Sequence, residues 1–309
     1  MTVALFTHSD CLDHDTGPHH PERPARMRAA IGALEVPEFQ TLLRETAPEA
    51  PESAIRAVHQ GDYVDRILGL HATEGEPIHL DADTLFSAGS LKAALRSAGG
   101  AMRAVDSVLE GWARGAFVAT RPPGHHAEAD RAMGFCLFAN AAIAAHHARA
   151  HGLRRIAVVD FDVHHGNGTQ SLFENDADLF YGSSHQYPCY PGTGAASERG
   201  VAGNVVNATL PPGAGSDAFR AAWAETILPE LDRFAPDLLI VSAGFDAHKL
   251  DPLAQLRVET ADFAWLTDEL VDLADRRCGG RIVSLLEGGY DLRGLAEGVA
   301  AHVRGLMRA

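Results

Sequence analysis

The chain has 309 residues, 46% of them hydrophobic, and a formal net charge of −15 at pH 7. That acidity argues against sequence-independent nucleic-acid binding, which needs a basic footprint, and no run approaches the ~20 apolar residues of a membrane span. The length suits one large or two ordinary domains with a sizeable core.

The first residues, Met1 to His8, lack a basic leader and run into an apolar strand over 3–8, so no signal peptide is expected. Cys11, Cys136, Cys189 and Cys278 show no CxxC spacing and fit a reducing, cytoplasmic setting. A polar loop over 10–24 carries His14, His19 and His20 and closes in H-P-E-R-P. Histidines in a Pro-rich loop without a partner carboxylate pattern are expected at the surface or at the helix entry, and are not assigned as metal ligands. Pro24 opens a helix to Leu34, on which Arg26 lies beside Met27 and Ile31 and is a candidate to point inward. Two short helices follow over 52–69, then a loop over 80–84 with Asp81 and Asp83. A long Ala-rich helix is expected from Leu85 to Leu109. A strand over Gly115–Thr120 is broken by Arg121-Pro122-Pro123-Gly124 and followed at once by His125 and His126. The next helix, Asn140–Ala150, carries His146 and His147, read as surface residues.

Ile156–Val159 reads as a buried strand that changes character in one step. Asp160, Asp162 and His164 alternate with Phe161 and Val163, so an extended chain puts the three polar groups on one side. Two carboxylates and an imidazole at the end of an apolar strand are costly to desolvate unless compensated. A divalent cation is an economical compensation, since both groups are zinc ligands; the plainer reading is a polar strand end entering a Gly-rich turn. Then come a helical turn at Gln170–Asn175, a strand at Leu179–Ser183, an aromatic Pro/Gly-rich loop with Tyr190, and a strand at Val205–Leu210. An amphipathic helix over Ser216–Phe234 leads to the apolar strand Asp237–Ala243, which ends in Gly244-Phe245-Asp246. The helix Thr260–Arg276, the strand Arg281–Leu286 with Glu287-Gly288-Gly289-Tyr290 behind it, and the helix Leu292–Met307 close the chain.

Strand and helix alternate without a linker or internal repeat. The expectation is an α/β fold, a doubly wound, mostly parallel sheet with helices on both faces, as one domain over residues 1–309. Near-continuous apolar strands such as D-L-L-I-V-S-A belong to sheets covered on both sides. Polar residues directly follow four strands: His125 and His126, Asp162 and His164, Asp246, and Tyr290. Ligands of such sheets bind outside the carboxyl ends of strands, so these tips are expected to meet in one site.

Taken in order, R-P-P-G-H-H at 121–126, G-F-C at 134–136, D-F-D-V-H-H-G-N-G-T at 160–169, S-A-G-F-D at 242–246 and E-G-G-Y at 287–290 resemble the histone deacetylase superfamily, in its class II-like bacterial deacetylase and acetylpolyamine amidohydrolase branch. H-P-E-R-P at 20–24 and Y-P-G-T-G at 190–194 agree, and the likeness spans nearly the whole chain. The resemblance implies an arginase-like fold and a zinc amidohydrolase, with iron(II) an alternative in cells. It implies zinc ligands Asp162, His164 and Asp246. His126 would be general base and then general acid, oriented by Asn167 where other members carry Asp; an amide should leave His126 titrating lower. His125 would stabilise the transition state, buttressed by Asp160, and Tyr290 would donate its hydroxyl to the scissile carbonyl.

The same resemblance makes Gly134, Phe135 and Tyr190 walls of a narrow tunnel, with Leu253 at its mouth and Arg26 in an acetate-release cavity. It implies potassium held by main-chain carbonyls, first near Asp160, Asp162, His164, Ser183 and Ser184, and second near Phe173, Asp176, Leu179 and Asn204. The implied reaction removes acetyl or other acyl groups from lysine side chains of proteins or peptides, releasing acetate. Deacetylation of small amines such as acetylpolyamines is the alternative. A non-catalytic acyl-amine binder is disfavoured by the intact His126 and Tyr290, and a dimetal ureohydrolase by the single carboxylate in S-A-G-F-D-A-H. Polyamine-preferring members carry glutamate where this chain has Leu253, which favours acyl-lysine; Asp81 or Asp83 would act the other way on reaching the mouth. No nucleic-acid or membrane partner is expected, and the oligomeric state stays open.

Overall fold

The apolar runs become the central strands of a parallel sheet in the computed structural model of the protein, which describes residues 2–308. The strands are β1 (Val3–Thr7), β2 (Leu43–Thr46), β3 (Ile78–His79), β4 (Leu85–Phe86), β5 (Gly115–Val118), β6 (Ile156–Asp160), β7 (Leu179–Gln186), β8 (Val205–Leu210), β9 (Leu238–Ala243) and β10 (Ile282–Leu286). The helices are α1 (Pro24–Ala33), α2 (Glu52–Arg56), α3 (Gly61–Leu68), α4 (Ser90–Leu109), α5 (Asn140–Ala150), α6 (Asn167–Phe173), α7 (Ser216–Ala221), α8 (Leu228–Phe234), α9 (Thr260–Arg277) and α10 (Leu292–Arg308). Among the described residues, eight strands form one sheet in the order β2-β1-β5-β10-β9-β6-β7-β8, every pair parallel. β3 and β4 make a separate antiparallel pair.

Strand alternation loads both faces. Ala157, Val159, Leu239 and Val241 join one core with Ala30 of α1, Phe219 of α7, Leu266 of α9 and Val303 of α10. Ile156, Val158, Leu238 and Ile240 join the other with Val64 of α3, Ala101 of α4 and Ile143 of α5. Each fully buried Val, Leu or Ile stabilises by about 1.5–3 kcal/mol, so the central strands are held from both sides. The consequence for function lies in the strand order: β5, β10, β9 and β6 are neighbours in space though far apart in sequence. Their carboxyl ends carry the four polar tips.

The structure departs from the sequence reading in several elements. The helix expected from Leu85 begins at Ser90, because Leu85–Phe86 pairs with Ile78–His79. The Ser90 hydroxyl is engaged by Ser87 N–H (2.7 Å) and His14 Nδ1 (2.6 Å), a local polar alternative to earlier helix. The helix over 216–234 is interrupted by a π-turn at Ala222–Ile227, next to Pro229, which lacks the N–H an α-helix needs. β7 continues to Gln186 because its polar residues are satisfied: Ser183 Oγ meets His185 Nδ1 at 2.9 Å, and Trp223 Nε1 donates to Ser184 Oγ at 2.9 Å. The edge strand β2 is an addition to the expected set, its charged L-R-E-T sequence suiting a sheet edge rather than a buried strand.

His14, expected at the surface, is buried, its Nε2 3.5 Å from Glu22 Oε2. Its carboxylate partner comes from the same loop and its hydroxyl partner from α4, so only the fold brings them together. Burial lowers this imidazole to about 4 against the opposing pull of Glu22.

Candidate active site

β6 ends at Asp160 and the chain turns, where alternation along an extended strand was expected. Asp162 N–H donates to Asp160 Oδ1 (3.1 Å) and His164 N–H to Asp162 Oδ1 (2.9 Å), side-chain bonds that compete with strand pairing. The turn separates Asp160 from the other two and turns them toward β9. His164 Nδ1 lies 3.1 Å from Asp162 Oδ1 and 3.1 Å from Asp246 Oδ2. All three residues are buried, and their ligating atoms lie within 4.8 Å of one another. The backbone fixes the carboxylates: Gly288 N–H donates to Asp162 Oδ2 (2.8 Å) and Val163 N–H to Asp246 Oδ1 (2.8 Å). A Cβ on Gly288 would collide with both carboxylates, so only glycine keeps this space open.

Two buried carboxylates on one imidazole require positive charge. Here the His164 proton supplies it: burial would lower the imidazole, but both carboxylates raise it well above its ordinary value. Burial, with Asp162 adding, pushes the Asp246 carboxyl up to about 7. Burial also opposes ionisation of Asp162, but His125 and His164 hold it well below the usual carboxylate range. Two carboxylate oxygens and an imidazole nitrogen, buried around a space kept clear by glycine, fit a zinc-class divalent cation that would take over the proton's role.

The strand β5 delivers the histidine pair. Gly124 N–H and His125 N–H donate to Glu287 Oε2 at 2.7 and 3.1 Å, tying the β5 tip to the β10 tip. His125 Nδ1 meets Asp160 Oδ2 at 2.9 Å, and Tyr181 donates its hydroxyl to the same oxygen at 3.1 Å. Burial would lower His125, but Asp162 and Asp160 raise it to about 10. His126 Nδ1 meets Asn167 Oδ1 at 2.8 Å, while Asn167 Nδ2 donates to Glu128 Oε1 at 2.6 Å. Glu128 thus fixes the amide so that its oxygen faces His126. His126 then carries its proton on Nδ1 and presents a bare Nε2. Burial lowers His126 well below its ordinary value, helped by the positive His125 and His164; a cation beside His164 acts in the same direction.

A cavity of about 280 Å³ reaches these groups, lined by Pro21, Asp83, His126, Gly134, Phe135, His164, Tyr190, Leu253 and Tyr290. A larger cleft of about 680 Å³ beside Asp13, Asp15 and Arg28 lies apart from them, so chemistry rather than volume selects the site. Gly134 (φ 55°) and Phe135 (φ 71°) both take left-handed backbone, a strained state that non-glycine residues keep mainly where function needs it. A Cβ at Gly134 would strike the His126 ring. The Phe135 and Tyr290 rings meet edge-on at 5.8 Å, and Tyr190 stands edge-on to His126 at 5.1 Å. Leu253 and Asp83 are both at the mouth, whereas the Asp81 carboxylate accepts from the Asp83 and Thr84 N–H groups and caps its own loop.

Arg26 does point inward. It is fully buried, with its Nε donating to the Gly289 carbonyl, Nη1 to Glu22 Oε1 (3.0 Å) and Nη2 to the Glu287 carbonyl. Its guanidinium lies 4.8 Å from the Tyr290 ring centroid, so it holds the loop that carries Tyr290. Asp251 Oδ2 accepts the Tyr290 N–H at 2.6 Å. Burial keeps the Tyr290 hydroxyl protonated far above its ordinary value despite Arg26. Glu22 also pairs with Arg121, the first residue of R-P-P-G-H-H.

Around the expected potassium sites, Asp160 pairs in register with Ser183 across β6 and β7. At the second, the carbonyls of Phe173, Asp176 and Leu179 converge on Asn204 Nδ2, at 3.1, 3.1 and 2.8 Å. Asn204 faces them through its side chain; its own carbonyl accepts Tyr181 N–H in the sheet.

Glu22, Arg121 and Glu287 sit inside H-P-E-R-P, R-P-P-G-H-H and E-G-G-Y, so position alone offered a signal for them. Glu128 and Asp251 gave none, since surface-type carboxylates near a motif are ordinary.

The model of the histone deacetylase domain matches residues 20–306. A histone deacetylase-like amidohydrolase of Pseudomonas aeruginosa is 39% identical, over 93% of this chain and 81% of the relative. Histone deacetylase 14, chloroplastic, of Arabidopsis thaliana is 42% identical, over 98% of this chain and 76% of the relative. The crystal structure of the HDA15 HD domain superposes with a TM-score of 0.91 at 35% identity, covering 99% of this chain and 88% of that one.

Proposed function

The chain belongs to the histone deacetylase family, and on that premise we propose that it is a zinc-dependent deacetylase. Its substrates are N-acyl-lysine side chains of proteins or peptides, and acetate is the product. The reading is supported by one cavity lined by His126, His164, Tyr290 and Leu253, with Asp162 and Asp246 grouped behind it on His164. We take residues 1–309 as one catalytic domain working in a reducing, cytoplasmic setting, in keeping with four unpaired cysteines.

Zinc, or iron(II), held by Asp162, His164 and Asp246 would polarise the acyl carbonyl and make water a stronger acid. His126 Nε2 takes the proton of the attacking water, because Asn167 keeps the other proton on Nδ1. As the water oxygen bonds to the acyl carbon, the carbonyl oxygen gains negative charge and accepts a hydrogen bond from the Tyr290 hydroxyl. When the C–N bond breaks, His126 returns its proton to the leaving amine nitrogen. His125, positive through Asp160, adds charge stabilisation on the same side. Phe135 and Tyr190 grip the aliphatic stem and exclude water. Potassium near Asp160 and Ser183, and at a second position by the Phe173, Asp176 and Leu179 carbonyls that now face the Asn204 amide, is part of the proposal.

Asp83 at the mouth supports a second reading, deacetylation of a small polycation such as an acetylpolyamine. Turnover of the metal-loaded protein on an acetyl-lysine peptide and on N-acetylspermidine separates the two. The proposal expects the higher kcat/KM for the peptide, and a preference for acetylspermidine overturns the substrate assignment.

A further inference from the structure

Away from the tunnel, the sequence A-H-H-A-R-A-H ends α5 with His147 and His151 one helical turn apart. We propose that Asp106, His147 and His151 form a second divalent-metal site, of the zinc class, that clamps α4 to the end of α5.

The two imidazoles lie against each other with ring centroids 4.4 Å apart. Asp106 of α4 brings its Oδ1 to 2.6 Å from His147 Nε2. Ligand atoms of all three residues lie within 4.8 Å of one another. Two histidines four apart at a helix end, the second at its C-cap, with a carboxylate from a second element, can serve as zinc ligands. Tautomers support it. His151 Nδ1 meets the His147 carbonyl at 2.9 Å and must be the protonated nitrogen, so its Nε2 keeps a free lone pair. His147 Nε2 faces the Asp106 carboxylate, and a cation would replace the proton between them. Zinc ligands stand about 3.3 Å apart at bond lengths near 2.0–2.1 Å. Side chains that are only partly buried can open the present contact to that separation.

The surrounding charges leave room for a cation. Arg103 Nη1 is 3.6 Å from Asp106 Oδ2 but nearer, at 3.0 Å, to Glu110 Oε2. Glu110 therefore draws the guanidinium off Asp106, and such exposed pairs are weak competitors. His151 is exposed, so the site opens directly to solvent. The other end of α5 touches the catalytic turn, Asn140 Nδ2 donating to the Pro122 carbonyl at 3.3 Å. The clamp sits at the far end of that helix, and its expected effect is on stability rather than turnover. It does not depend on the proposed reaction.

The test is a Zn²⁺ titration of the full chain against a chromophoric chelator, followed by thermal melting. Wild type should bind two equivalents. Asp162→Ala and His151→Ala should each bind one, and the double variant none. Zn²⁺ should raise the Tm of Asp162→Ala and leave that of Asp162→Ala/His151→Ala unmoved. Asp106→Asn, which keeps a hydrogen-bonding side chain, should weaken the second equivalent at least tenfold and fold like wild type without metal. A single equivalent that Asp162→Ala abolishes, or a second equivalent that survives His151→Ala, overturns the site; a single equivalent lost only in His151→Ala keeps it and counts instead against zinc at the catalytic residues.

Discussion

The floor of the tunnel and its mouth are built differently. At the floor Asp162 is 0% and Asp246 1% exposed, and each carboxylate is fixed by backbone N–H groups at strand tips. At the mouth Tyr190 is 40% and Leu253 39% exposed, on loops that face solvent. Charges at the floor are desolvated and strongly coupled, so each substitution there is large. Charges at the mouth are screened by water, so each is small. Chemistry is therefore a property of the floor, and choice of substrate a sum of weak terms at the mouth.

The largest effect tests the floor. Asp162→Ala or Asp246→Ala should lose the catalytic metal and all turnover, since removing one carboxylate leaves the others uncompensated. His126→Ala should be inactive while keeping the metal. Metal analysis of the three purified variants distinguishes these roles, and full catalytic-site zinc in Asp246→Ala would break the ligand assignment.

Behind the floor, Glu22 lies between Arg26 and Arg121, all fully buried. Removing one partner of a buried charge cluster costs about 3–5 kcal/mol, and Glu22→Gln should lose that much in urea unfolding. Burial opposes the Glu22 charge, but Arg121 and then Arg26 hold its carboxyl down at about 2. The depressed value means its contribution is full above the unfolded pKa of about 4.3. It is lost as pH falls from there through about 2, so the variant should show a weaker loss of stability across that window. At the wall, Tyr290→Phe should keep fold and metal and lower kcat by about 10²–10³, the usual loss for one oxyanion donor.

The same division governs which parts of the molecule are legible in the sequence. The β6 and β9 tips are legible because carboxylates and imidazole directly after apolar runs would be left desolvated without a compensating charge. Arg26 is legible as an inward residue from its place on α1. The local path of 160–166 is not, since Asx-type bonds override strand alternation there. Nor is His14, whose partners come from Glu22 and from Ser90 on α4. Glu128 and Asp251 act on Asn167 and on the Tyr290 backbone across long sequence separations, which residue types alone do not encode.

Asn167 sharpens the comparison because it joins a floor residue to a carboxylate nearer solvent. His126 acts as base only when neutral, and it is held well below its ordinary value, so the acid limb of kcat/KM should fall at low pH. In Asn167→Asp a carboxylate facing Nδ1 would raise the His126 pKa, moving the limb to higher pH. That carboxylate would also face Glu128, which now accepts from the amide. The double variant Asn167→Asp/Glu128→Gln relieves the repulsion and should show the shift with better activity. An unmoved limb in both variants would disprove the pairing.

The smallest expected effect lies at the mouth, where Leu253 and Asp83 work in opposite directions. Leu253 offers apolar contact and no charge, so a polycation passing it loses some hydration and gains nothing. Asp83 is exposed at the same rim and would attract the second ammonium of such a polycation. On the proposed acyl-lysine peptide, a flanking N–H would donate to the Asp83 carboxylate and the peptide would pack on Leu253. Exposed ion pairs contribute about 0.2–1 kcal/mol. Leu253→Glu should therefore move the ratio of kcat/KM for N-acetylspermidine over acetyl-lysine peptide upward by no more than about fivefold. Asp83→Asn should move it downward by a similar factor, and the two changes should nearly cancel when combined. A ratio unmoved by Leu253→Glu would mean that residue merely packs under its loop. A ratio that changes a hundredfold would mean the mouth is as desolvated as the floor, and the division between the two regions would fail.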